Sequence, residues 1–93
     1  MKLVASKSFE KKYKKIASKN PKLKQSIDKT LLLMEKDLYH PHLETHKLSG
    51  NLFGLWALSC GYDCRIIFSL EQSNHSNEQV IVLLDFGTHD KVY

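Results

Sequence analysis

The chain has 93 residues, 42% hydrophobic and 26% charged, enough for one domain (residues 1–93) and too ordinary in composition for a disordered one. No apolar run reaches the roughly 20 residues of a membrane span, and the opening Met1-Lys2-Leu3-Val4 is no signal peptide, so a cytoplasmic protein with no membrane partner is expected. The net charge of +4 is uneven: residues 1–36 carry eleven lysines against three carboxylates, and residues 37–93 carry three cations against seven carboxylates. Such a basic front half fits a polyanion such as RNA, and equally a solvated lysine-rich helix face.

Met1–Ala5 reads as a short strand. A helix follows, with Ser6 as its N-cap and Phe9, Tyr13, Ile16 and Ala17 on one stripe, leaving Lys7, Lys11, Lys12, Lys14 and Lys15 on the other faces. Asn20-Pro21 predicts a stop and restart, because asparagine caps a helix and proline suits its first position. The second helix carries Leu23, Ile27, Leu31, Met34 and Leu38 at helical spacing and is expected to end near Tyr39-His40-Pro41.

From His46 onward the pattern is that of strands. Ser49-Gly50-Asn51 and Gly61-Tyr62-Asp63 are turns, around strand-like Leu52–Cys60 and Cys64–Leu70. After the polar loop Glu71–Glu78, Gln79–Phe86 contains Val80-Ile81-Val82-Leu83-Leu84, apolar at every position, as in a central strand buried on both faces. The order β-α-α-β-β-β predicts an α+β fold: a small twisted sheet with a helical hairpin on one face and the other face open to hold a site. Cys60 and Cys64 are too few for a disulfide scaffold and are expected as free, packed thiols.

Histidines and carboxylates are the candidates for chemistry. His89 follows the most apolar strand, in Gly87-Thr88-His89-Asp90, where a side chain that titrates near neutrality is well placed for proton transfer. His46 opens the strand region, and Asp63 sits in a tight turn two residues before Arg65, the only arginine, which suits a phosphate or a carboxylate. His40, His42 and His46 with Cys60 and Cys64 offer zinc-type ligands, but their spacing matches no standard motif, so no metal is expected.

His46-Lys47-Leu48-Ser49-Gly50, Gly54-Leu55-Trp56, Tyr62-Asp63-Cys64-Arg65-Ile66-Ile67-Phe68 and Gly87-Thr88-His89-Asp90-Lys91-Val92-Tyr93 resemble, in order and spacing, the RelE/ParE toxin superfamily, and within it the YafQ-like branch. The resemblance covers nearly the whole chain. It implies a type II toxin that cleaves mRNA at the ribosome without a metal or small-molecule cofactor and is inhibited by a cognate antitoxin. It also implies functional roles for His46, Asp63, His89 and Tyr93. Where the branch carries a further histidine, this chain places Ser59.

The expected assignment has Asp63 or His46 as base and His89 as acid. Arg65 and Lys47 contact the substrate, Tyr93 stacks on a base, and Lys11, Lys12, Lys14 and Lys15 face RNA or the ribosome. Two other readings share the fold: a ParE-like toxin that binds DNA gyrase without cleaving, and a degenerate toxin that binds only its antitoxin.

Overall fold

A computed structural model of the chain describes residues 1–61, 63–88 and 92. Its elements run β1 (Lys2–Ala5), α1 (Lys7–Lys19), α2 (Pro21–Lys36), β2 (His46–Lys47), β3 (Trp56–Ser59), β4 (Arg65–Gln72) and β5 (Gln79–Gly87), with 3-10 turns at Pro41–Leu43 and Gly50–Leu52. The five strands form one mixed sheet in the order β1-β5-β4-β3-β2; β1 joins β5 in parallel, and the other pairs are antiparallel. The expected α+β architecture is present with one strand more than the sequence suggested. The short β2 forms because His46 and Lys47 pair with Ala57 and Trp56.

Local chemistry accounts for the helical hairpin. The Ser6 hydroxyl accepts from the Phe9 N–H at 3.1 Å and caps α1. Asn20 ends α1 through its own N–H to the Ile16 carbonyl, and its side chain accepts from the Leu23 N–H to begin α2, with Pro21 at the first position. Across the two helices the Tyr13 hydroxyl donates to Asp28, whose other oxygen takes Lys24 at 2.6 Å. Tyr13 and Asp28 are almost symmetric about Asn20, as an antiparallel pair requires. The α2 end returns to the start of β1, where the Met1 ammonium donates to the Glu35 carbonyl.

The core lies between the hairpin and one face of the sheet. Phe9, Ile27 and Met34 pack with Leu58, Ile66, Phe68, Ile81, Leu83 and Phe86, while Tyr13, Ile16 and Leu31 flank them. Phe9 meets Phe86 edge to face, centroids 5.2 Å apart. Helix α2 stops at Lys36, before Leu38, but Leu38 is still buried.

Two expectations are corrected. The strand enclosed on both faces is β4, in which Ile66, Ile67, Phe68 and Ser69 are all buried; in β5 only Ile81, Leu83 and Phe86 are. The sheet order explains it, since β4 is third of five. Cys60 and Cys64 are not free thiols but a disulfide: the hairpin pairs Ser59 with Arg65, so the cysteines are the next pair outward, with Cα atoms 5.0 Å apart. No helix among the described residues is long and apolar enough to cross a membrane.

Replacing Asn20 by alanine removes the cap that starts α2 and is expected to lower stability by about 1 kcal/mol, measured by urea unfolding, with the fold retained. Asp28→Asn tests the interhelical cluster through pH. Lys24 and then Tyr13 hold the Asp28 carboxyl below its ordinary 3.8. The resulting stability is therefore present above that value and lost as pH falls through the lower, folded value. Wild type is expected to melt slightly above Asp28→Asn at neutral pH, with the gap closing below about pH 4.

Candidate functional site

Directly opposed residues in a sheet share a face, and alternate residues along a strand return to it. One row across the sheet is His46, Ala57, Ile67 and Asp85; the next is Ser59, Arg65 and Gly87. This face is turned away from the helices, because the core residues Leu58, Ile66 and Phe86 occupy the alternate positions. Register therefore puts His46, Ser59 and Arg65 on the face away from the helices; Asp85 starts from the same face, but its carboxylate turns to the β5 edge, where it meets Lys12 of α1. His46 and Arg65 are two strands and two residues apart, a backbone separation of about 12 Å.

The imidazole of His46 is oriented locally. Its Nδ1 lies 2.8 Å from the Glu44 carbonyl oxygen. A carbonyl can only accept, so Nδ1 carries the proton and the neutral ring has its lone pair on Nε2. Glu44 presents that carbonyl from a left-handed conformation, φ 53°, closing the turn Pro41–Leu43. That turn is tied down by the Thr45 hydroxyl, which donates to the Leu38 carbonyl at 2.6 Å. Beside His46, Lys47 lies on the opposite face, its ammonium 5.4 Å from the Trp56 ring centre, so the two neighbours expected at one site point apart.

The turn between β3 and β4 holds the next group. Asp63 also has φ 53°, a conformation that aspartate tolerates better than most residues. The disulfide closes the turn around it. The Cys64 carbonyl accepts both the Cys60 N–H at 3.0 Å and the Arg65 guanidinium at 2.9 Å. The Ser59 hydroxyl donates to the Gly61 carbonyl, a bond within the same turn.

Asp63 lines a cleft of about 350 Å³ at the end of the sheet with Lys12, Ile16, Phe86, Gly87 and Thr88; His46 and Arg65 are not among its walls. The expected set thus divides between the helix-free face and this cleft. His89 and Tyr93 lie outside the described residues, although Thr88, the residue before His89, is in the cleft wall.

Among the expected RNA-facing lysines, Lys11, Lys14 and Lys15 are exposed, whereas Lys12 is half-buried and bonded to Asp85 at 2.9 Å. The sequence reading missed Asp85 and Glu44. An acid between Leu84 and Phe86 in an apolar strand was a signal for the first; nothing local marks the second, which acts through its backbone. No three His, Cys, Asp or Glu side chains among the described residues gather as a metal-binding group.

All 93 residues match the family described as the bacterial YafQ toxin of type II toxin–antitoxin systems. The chain belongs to the YafQ toxin family. Solved structures share the fold at low identity. A YoeB/ParE toxin from Agrobacterium tumefaciens superposes with a TM-score of 0.75 at 18% identity, covering 96% of this chain and 99% of that one. YafQ from E. coli gives 0.75 at 17%, covering 98% and 96%. A chain of the E. coli DinJ–YafQ complex gives 0.72 at 15%, again covering 98% and 96%. No curated protein sequence matches significantly. The YafQ-family chain is thus a toxin of the type II class.

Proposed function

We propose that this YafQ-family toxin halts translation by cleaving mRNA at the ribosome, without a metal, and that a cognate antitoxin protein silences it. The observation that carries the reading is the orientation of His46. A ring whose Nδ1–H is fixed by a carbonyl has Nε2 as its basic nitrogen, on a residue of the face that also bears Arg65. We take His46 rather than Asp63 as the base because its ring is oriented by the Glu44 carbonyl.

RNA supplies its own nucleophile. His46 takes the proton of the 2′-hydroxyl, the 2′-oxygen bonds to phosphorus, and the 5′-oxygen leaves with a proton from His89. The products are a 2′,3′-cyclic phosphate and a 5′-hydroxyl. Arg65 balances the charge on the phosphorane, and Tyr93 stacks on a neighbouring base. Asp63 holds charge or a proton at the cleft, and Lys47 contacts the message from the far side of β2. Lys11, Lys14 and Lys15 draw the toxin to ribosomal RNA. The antitoxin partner is read from the family and from relatives that form complexes such as DinJ–YafQ and YoeB–YefM.

One observation favours a second reading, a degenerate toxin that only binds antitoxin: Ser59, at a position where the branch carries a histidine, spends its hydroxyl on the Gly61 carbonyl. Cleavage of a message in a translation extract separates the two. Wild type is expected to produce fragments ending in cyclic or 3′-phosphate; a 3′-hydroxyl end would contradict the mechanism, and intact message would favour the second reading. Both His46→Ala and His89→Ala are expected to lower cleavage about 10²–10⁴-fold with melting temperatures near wild type. Reversing the charge of Lys11, Lys14 and Lys15 is expected to weaken ribosome association at low salt and to matter less as salt rises; association unchanged at low salt would make them solubilising charges only.

A further inference from the structure

Lys12 differs from the lysines around it because of where β1 ends. Strand β1 pairs with β5 only from Val80 to Leu83. From Leu84 to Gly87 that edge of β5 is taken over by α1: the Ser8 hydroxyl donates to the Leu84 carbonyl at 3.3 Å, and one helical turn later Lys12 reaches Asp85. The ammonium is placed from three sides. Asp85 lies 2.9 Å away, the Phe86 ring centre 5.3 Å away, and Gly87 offers no side chain where a Cβ would sit 3.6 Å from Nζ. Asp85 is itself fixed, since the same carboxylate oxygen accepts the Phe86 N–H at 2.8 Å. Lys12 also shares the cleft with Asp63, Gly87 and Thr88, the strand end that leads into His89.

A surface ion pair would explain the contact but not the address. Pairs this exposed, 42% and 47%, are worth about 0–1 kcal/mol, so the bond itself adds little to a helix position that Phe9 and Phe86 already fix. An ammonium has three donors and Asp85 takes one, which leaves two for an anion in a cleft open to solvent. Resting on the endonuclease reading above, we propose that Lys12 is a catalytic residue that donates to the scissile phosphate and stabilises the charge gathering on it, and that Asp85 is its positioning residue. Lys12 therefore acts on the chemical step, unlike Lys11, Lys14 and Lys15, which act on association.

The test uses ribosomes programmed with a defined message and excess toxin, so that cleavage of bound message is read apart from binding. Lys12→Met keeps the aliphatic stem over Phe86 and removes the charge. It is expected to cleave bound message about 10²-fold more slowly, with ribosome affinity and melting temperature changing far less. Lys12→Arg is expected to recover most of the rate, because the charge returns. Asp85→Asn is expected to slow cleavage by a smaller factor, and the double variant to be no slower than Lys12→Met alone, as for residues acting through one group.

Wild-type cleavage of bound message by Lys12→Met, or a loss explained wholly by weaker ribosome binding, overturns the proposal. A Lys12→Arg variant that folds but stays as slow as Lys12→Met overturns it as well. If Asp85→Asn and the double variant show independent losses, the positioning role is refuted. Failure of the wild-type toxin to cleave at all would refute the endonuclease reading instead, so the two failures are distinguishable.

Discussion

The contact of Phe9 with Phe86 sets the relation between the helical hairpin and the sheet. Phe9 is the one fully enclosed side chain of α1, and Phe86 is the last buried residue of β5. Their packing holds α1 alongside the end of the strand that β1 leaves uncovered. Everything at that end follows from it. The Lys12–Asp85 bond and the cleft walled by Lys12, Asp63 and Gly87 both require α1 to cross there. A helix pair that slid along the sheet by one turn would build none of these.

A sheet with helices on one side divides its residues by parity. Ile66, Phe68 and Phe86 go to the core, and Arg65, Ile67 and Asp85 go to the other face. That division lets polar groups stand on the helix-free face without disturbing the core. Two groups of the candidate site carry backbone constraints. Both described non-glycine residues with positive φ, Glu44 and Asp63, lie at the candidate site: one orients His46 through its carbonyl, the other is itself a candidate. Strain at such positions persists only when the surroundings over-determine it. Here the Thr45–Leu38 hydrogen bond and the Cys60–Cys64 disulfide supply the restraint.

Family membership fixes the class of the protein but not the chemistry of this chain. The solved relatives are under 20% identical, so their likeness carries the backbone alone. The chemistry of this chain has to be read from its own contacts. Ser59 is engaged in its turn, the guanidinium of Arg65 is drawn back to the Cys64 carbonyl, and a lysine of the first helix stands at the end of the last strand.

Much of this was legible in the sequence, and the reason is locality. The Ser6 cap, the break at Asn20-Pro21, the apolar stripes of both helices and the order of the later strands depend on neighbours a few residues away, which periodicity and turn chemistry report directly. The charge asymmetry is likewise a property of the string, as are the motifs around His46, Asp63 and Gly87-Thr88-His89. Tertiary structure decided whatever depends on register between distant segments. That His46 and Lys47 form a strand follows from Ala57 and Trp56; that β4 rather than β5 is enclosed follows from the order of five strands. The cysteines meet because Ser59 opposes Arg65, and Lys12 stands apart from Lys11 because Asp85 lies 73 positions away in sequence and 2.9 Å away in space. A side chain's type is written locally, but its partner is chosen by the packing of the whole chain, and at this site the partner decides what the side chain can do.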